Sequence, residues 1–161
     1  MRQSLSELTL EQALQKGVEA HKAGKVREAD QYYTAILQAQ PKHPDANHNM
    51  GVLAVGVGKV DQALPFLKTA LEANPSIEQF WLSYIDALIK SIKNKINSIK
   101  WKPDIIIASY HGIPQSYFDK GDPYQCYCQK TTRLIKDNFK DYEIQTTFQS
   151  RFGPQKWLQP Y

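Results

Sequence analysis

Residues 17–41 read GVEAHKAGKVREADQYYTAILQAQP, and residues 51–75 read GVLAVGVGKVDQALPFLKTALEANP. Laid over one another at an offset of 34 residues, with no gap, they agree at ten of 25 positions. Gly17 falls on Gly51, Val18 on Val52, Ala20 on Ala54, Gly24 on Gly58, Lys25 on Lys59 and Val26 on Val60. Ala29 then falls on Ala63, Leu37 on Leu71, Ala39 on Ala73 and Pro41 on Pro75. A fixed period of this size marks a repeat array. The small residues sit where two helices approach closely, and each proline follows an apolar run that it cannot continue as helix. Each unit reads as helix, turn, helix: helices over 9–22 and 26–39 around Ala23-Gly24-Lys25, then over 44–56 and 60–73. Ala29, Tyr33, Ile36 and Leu37 form one apolar stripe, and Ala63, Leu67 and Leu71 its counterpart. Such hairpins bury their faces only by stacking.

A third unit starts at about Glu78, with Trp81 at its aromatic position and Leu82, Ile85 and Leu88 expected on one face. Its second helix never comes into register, because residues 91–102, SIKNKINSIKWK, hold no turn glycine or helix-packing alanine. The period resembles the tetratricopeptide repeat (TPR) family through Gly17 and Gly51, Ala29 and Ala63, Tyr33 and Leu67, and Pro41 and Pro75. That resemblance, over about residues 8–90, implies a concave groove for a protein or peptide ligand. One version of the family grips a C-terminal carboxylate with Lys and Asn. The matching positions here are Leu14, Val18, Asn49, Gln79 and Ser83, of which only Asn49 agrees, so that ligand is not expected.

From Lys102 the pattern changes. Ile105-Ile106-Ile107-Ala108-Ser109-Tyr110 is a short β-branched run that predicts a buried strand, closed by His111-Gly112-Ile113-Pro114. Gly121-Asp122-Pro123-Tyr124 is a tight turn opening a helix that reaches about Lys140, with Asp122 as its cap. Residues 142–148 predict a second strand, giving a β–α–β unit. The end of a buried parallel strand is where open α/β sheets expose functional side chains.

Four pieces, IIASYHGIP, DKGDPY, FQSRFG and WLQPY, together resemble the ferrochelatase family in order and spacing over residues 103–161. The resemblance implies an enzyme of haem synthesis that inserts ferrous iron into a porphyrin, with iron as substrate and no dedicated cofactor. In that family a strand-end histidine faces the centre of the porphyrin, as base for the pyrrole protons and ligand for the metal. Imidazole suits both tasks because it titrates near neutrality. His111 holds the matching position and is the expected catalytic and metal-contacting residue. Gln149, Ser150 and Trp157 match residues near the porphyrin pocket, Trp157 offering the macrocycle a flat apolar face.

The expected fold is α plus α/β: TPR helical hairpins over residues 1–92, then a partial Rossmann-like, chelatase-type β–α–β unit over residues 93–161. The family's acidic residue across the macrocycle comes after WLQPY, and here no Asp or Glu follows Glu143. The expectation is a truncated catalytic segment fused behind repeats and inactive by itself. The alternative is a non-enzymatic repeat scaffold for a protein or peptide partner.

Composition narrows the remaining classes. The net charge of +4 falls wholly in residues 94–161, which carry ten basic and six acidic side chains. That excess is too small and dispersed to argue for nucleic acid. It suits an anionic small molecule or peripheral contact with an anionic membrane surface, and demands neither. No stretch approaches the ~20 apolar residues of a transmembrane span, and the N-terminus lacks the apolar core of a signal peptide. A cytoplasmic protein is expected. Cys126 and Cys128, one residue apart, read as reduced thiols. His21, His43 and His48 have no partners at metal-ligand spacing, and Trp101 is expected to pack beside the first strand.

Overall fold

The computed structural model describes residues 8–149 and 152–160. It divides into two units, residues 1–92 and 93–161.

The first unit holds α1 (Leu10–Lys22), α2 (Val26–Ala39), α3 (Pro44–Gly56), α4 (Val60–Ala73) and most of α5 (Glu78–Ser98). Thr9 opens α1 with a capping box: its hydroxyl accepts from the Gln12 amide, and the Gln12 side chain accepts from the Thr9 amide. Pro44 starts α3, where its missing N–H costs nothing, and His43 Nδ1 accepts from the Ala46 N–H at 3.3 Å. Both hairpins turn on a glycine in the left-handed region, Gly24 at φ 71° and Gly58 at φ 79°. The 34-residue period is therefore repeated in backbone geometry.

The helices meet through the stripes read from sequence. Ala20, Ala29, Tyr33, Met50 and Leu53 form one buried cluster, and Val60, Ala63, Leu67 and Ala87 another. Gly17 and Gly51 are glycines because no side chain fits. A Cβ at Gly17 would lie 2.6 Å from Tyr33 Cε1, and one at Gly51 2.5 Å from Leu67 Cγ.

The third hairpin does not form; α5 runs on for 21 residues instead. Its contact face matches the expected one in part: Ile85 is buried and Leu88 half-buried. Leu82 is exposed, while Phe80 and Ala87 are buried and Tyr84 packs beside both. Phe80, Tyr84 and Ala87 are spaced i, i+4, i+7, so they share one helical face.

The second unit contains β1 (Ile105–His111), α6 (Gln115–Asp119), α7 (Tyr124–Lys136) and β2 (Glu143–Gln149). β1 and β2 pair in parallel, Ile105 opposite Glu143 through His111 opposite Gln149, and form the one sheet among the described residues. The N-cap of α7 is Pro123, and the carboxylate of Asp122, one residue earlier, accepts from the Tyr124 amide at 2.9 Å. β1 is not the buried strand its composition predicted. Its residues alternate between half-buried and exposed towards the His111 end, and Ile107 is 58% exposed. β-branched residues specify a strand, but a second covering layer has to come from elsewhere in the fold. Trp101 does not pack against the strand either; it is 66% exposed.

Candidate functional site

Side chains alternate across a pleated sheet, so the register sorts the two strands into faces. Ile106, Ala108 and Tyr110, with Ile144, Thr146 and Phe148 opposite them, share the face that α7 covers. The hydroxyls of Tyr110 and Thr146 reach Thr132 Oγ1 at 3.0 and 2.9 Å, and Phe148 packs with Cys128 and Leu158. His111 and Gln149 therefore belong to the opposite, open face. They are direct partners at the carboxyl ends of the two strands, and both are exposed.

The turn after β1 is held almost entirely by backbone. The Gly112 amide donates to the Gln149 carbonyl at 2.6 Å, and a Cβ at Gly112 would lie 2.7 Å from that oxygen and 3.4 Å from Trp157 Cε3. Only glycine lets the three groups converge. The returning segment docks on the same turn: Leu158 donates to the Ile113 carbonyl at 3.1 Å and Gln115 to the Lys156 carbonyl at 2.9 Å. Pro114 and Trp157 form an antiparallel bridge. Half-buried Trp157 is thus carried to the strand end that bears His111 and Gln149. Ser150 lies outside the described residues.

Sequence reasoning missed the support beneath this turn. Burial pushes the Tyr124 phenol up to about 12, the adjacent Cys128 thiol adds to the shift, and a hydrogen bond with the His111 backbone opposes it. Burial likewise pushes the Cys128 thiol up. A protonated, buried thiol is neither a nucleophile nor a thiolate ligand, so Cys128 serves as packing. Its link to Tyr124 was readable as an i, i+4 pair on one face of α7. Among the described residues no three His, Cys, Asp or Glu side chains converge in a way that could hold a metal. The site supplies one imidazole, one amide and one indole.

In the first unit, His43 is a helix cap and His21 lies edge-on to Tyr33, ring centroids 6.3 Å apart. His48 stacks on Phe80 at 4.7 Å, and its Nε2 is 2.9 Å from Ser83 Oγ. Gln79 Nε2 donates to the same oxygen at 3.2 Å. Two of the groove positions named from sequence, Gln79 and Ser83, are thus engaged with one another. No helix is long and apolar enough to cross a membrane among the described residues.

Known proteins match each piece. The chain fits the ferrochelatase family model over residues 69–161 and the tetratricopeptide repeat model over residues 20–83. Ferrochelatase of Rhizobium meliloti (strain 1021) is 55% identical over 80 residues, which is 48% of this chain and 24% of that protein. Ferrochelatase of Rhizobium etli (strain CIAT 652) is 56% identical over 81 residues, 49% of this chain and 24% of its own length. That of Agrobacterium fabrum is 54% identical over 81 residues, with the same two shares. The chain therefore spans about a quarter of the length of these relatives. The ferrochelatase match takes in more than half of the residues, including the strand, turn and indole that frame His111, and the chain belongs to the ferrochelatase family.

Proposed function

We propose that residues 93–161 carry the histidine side of a site that inserts ferrous iron into a porphyrin, and that these 161 residues alone do not complete it. The observation that supports this reading is the pairing of His111 with Gln149 on the open face at the strand ends, with Trp157 brought to the same turn. A flat tetrapyrrole lying there meets an indole face and an amide, with the imidazole pointing at its ring nitrogens. Insertion replaces two pyrrole protons by Fe²⁺. A neutral imidazole accepts a proton or lends a lone pair to the incoming ion. It does not do both at once, so a second base is required. Within these residues no carboxylate side chain follows Glu143, where the family resemblance places that group. Iron is a substrate in this reading, and no resident cofactor is assigned.

The test uses the purified chain with protoporphyrin. A porphyrin that binds shifts its Soret band and quenches tryptophan, and both signals should weaken in Trp157→Ala. Metal insertion should stay at the solution background in wild type and in His111→Ala alike. A Soret band indifferent to the protein would sink the porphyrin reading. Insertion above background that disappears in His111→Ala would show that the half-site is sufficient.

The repeat unit supports a second role. Its match to the tetratricopeptide repeat family over residues 20–83 supports reading residues 1–92 as a binding element for a protein or peptide ligand, in the cytoplasm. Peripheral contact with an anionic membrane surface is compatible with the charge of the second unit.

A further inference from the structure

The repeat unit holds a cavity of about 440 Å³ between α2 and α4, with the second half of α3 beneath it. None of the groove positions named from sequence, Leu14, Val18, Asn49, Gln79 and Ser83, lines it. Met50 and Leu53 make a buried apolar floor, Phe66 is half-buried at the wall, and Val26 and Val57 leave apolar surface in water at the mouth. Two cations and one anion, Arg27, Lys59 and Asp30, stand exposed at the rim. The ion pairs among the described residues are Lys25–Glu28 and Lys68–Glu72, and neither Arg27 nor Lys59 belongs to one. The helical frame does not dictate this rim. At the 34-residue offset Arg27 falls on Asp61 and Asp30 on Leu64, whereas the packing residues repeat.

A concave, mostly apolar site with a few polar groups at its edge, in the range of ~300–1,000 Å³, is what small ligands occupy. We propose that this cavity takes a small anionic amphiphile, a medium-length alkyl chain ending in a carboxylate, at a site separate from the groove and independent of the porphyrin reading. The chain covers the floor and the two mouth valines, which is favourable in proportion to the apolar area removed from water. The carboxylate stays hydrated at the rim beside Arg27 and Lys59, so no charge is buried. An extended peptide suits the lining less well. It brings a backbone donor and acceptor at every residue, and the uncharged polar side chains here are Thr34 and Gln62. An alkyl chain needs none.

The chain has two methionines, Met1 and Met50, so methyl-labelled methionine gives two resonances, assigned with Met50→Leu, and one of them reports on the cavity floor. The full chain is titrated with octanoate, 1-octanol and octylammonium, which share one tail and differ in charge. All that fit should move the Met50 methyl saturably, with octanoate about 1.5–5-fold tighter than 1-octanol and octylammonium weakest. Arg27→Gln and Lys59→Gln, both at exposed positions, should each weaken octanoate by about 1.5–5-fold and leave 1-octanol unchanged. Asp30→Asn should tighten octanoate. A Met50 methyl that does not move, octylammonium binding as tightly as octanoate, or an octanoate affinity unchanged in both cation variants overturns the proposal. So does a capped peptide of alternating leucine and aspartate that moves the same methyl at lower concentration than octanoate, because the occupant is then a polypeptide.

Discussion

Replacing Gly51 with alanine sets two effects against each other. Alanine is the better helix former by about 1 kcal/mol at an interior position, so where there is room the change stabilises. At Gly51 there is none: the added methyl would lie 2.5 Å from Leu67 Cγ, 2.7 Å from Leu67 Cδ2 and 3.3 Å from the Leu67 backbone nitrogen. Leu67 is fully buried and cannot swing into solvent. Overpacking of this kind costs ~1–3 kcal/mol, which leaves a net loss of up to about 2 kcal/mol after the propensity gain. For a unit of this size that lowers Tm by ~4–8 °C per kcal/mol. Gly56 in the same helix is the control, because a Cβ there meets nothing within 4 Å. Gly56→Ala should be neutral or stabilising by no more than about 1 kcal/mol. The double variant Gly51→Ala/Leu67→Ala isolates the contact, since the new methyl then occupies space that Leu67 vacated. It should be less destabilised than the sum of the single changes by about 1 kcal/mol or more. Urea unfolding of the full chain followed by far-ultraviolet circular dichroism reads all four variants. If Gly51→Ala is as benign as Gly56→Ala, or the double variant is additive, close helix approach is not why glycine occupies this position.

Gly112→Ala should separate the strand ends, because its methyl meets a backbone carbonyl that cannot rotate without breaking the ladder; the His111 and Trp157 resonances should broaden while α7 stays protected. Tyr33, its hydroxyl buried with no partner among the described residues, is pushed up to about 12 by burial. The fold therefore loses stability as pH rises from 10 towards 12, because unfolded phenols ionise first. Tyr33→Phe should remove one late-ionising phenol from the absorbance titration and stabilise the repeat unit by ~1–2 kcal/mol. Thr132→Val takes a shared partner from Tyr110 and Thr146, and should cost ~1–3 kcal/mol, seen as faster amide exchange in β1 and β2. Asp122→Ala takes the acceptor from the Tyr124 amide, should cost ~0.5–1.5 kcal/mol and fray the first turn of α7, whereas Asp122→Asn keeps most of that bond.

The helices of the repeats were legible because glycine and proline act locally. Gly24 and Gly58 mark the turns through their own φ values, and Pro41 and Pro75 follow helices they cannot extend. Burial along α5 was not legible in the same way. Leu82 fits an apolar stripe as well as Phe80 does, and which of them is covered depends on where α4 lies. β1 repeats the lesson: β-branched composition specifies a strand, but the exposure of Ile107 depends on what else packs there. His111 could be singled out through a family likeness. Its partnership with Gln149 requires the register of two strands far apart in sequence. The His48–Ser83 contact spans 35 residues and has no local signature either.

The open face explains why the candidate site should be sensitive to its ligand. Ile107, Ser109 and His111 follow one another on that face at the two-residue period of a strand, and Ile107 is left largely in water. Apolar area in this position adds nothing to the stability of the second unit until something covers it. A flat apolar molecule seated against the row recovers roughly 25 cal/mol for each Å² it removes from water. It stabilises only the unit it binds, by about 2.7 kcal/mol at a free concentration one hundred times Kd. The first unit, whose clusters close among its own helices, has no comparable dependence. On the proposed reading, protoporphyrin should therefore slow amide exchange in β1 and β2 and leave α1 to α4 unchanged. Protection spread evenly over both units would instead mean non-specific association of a sticky macrocycle.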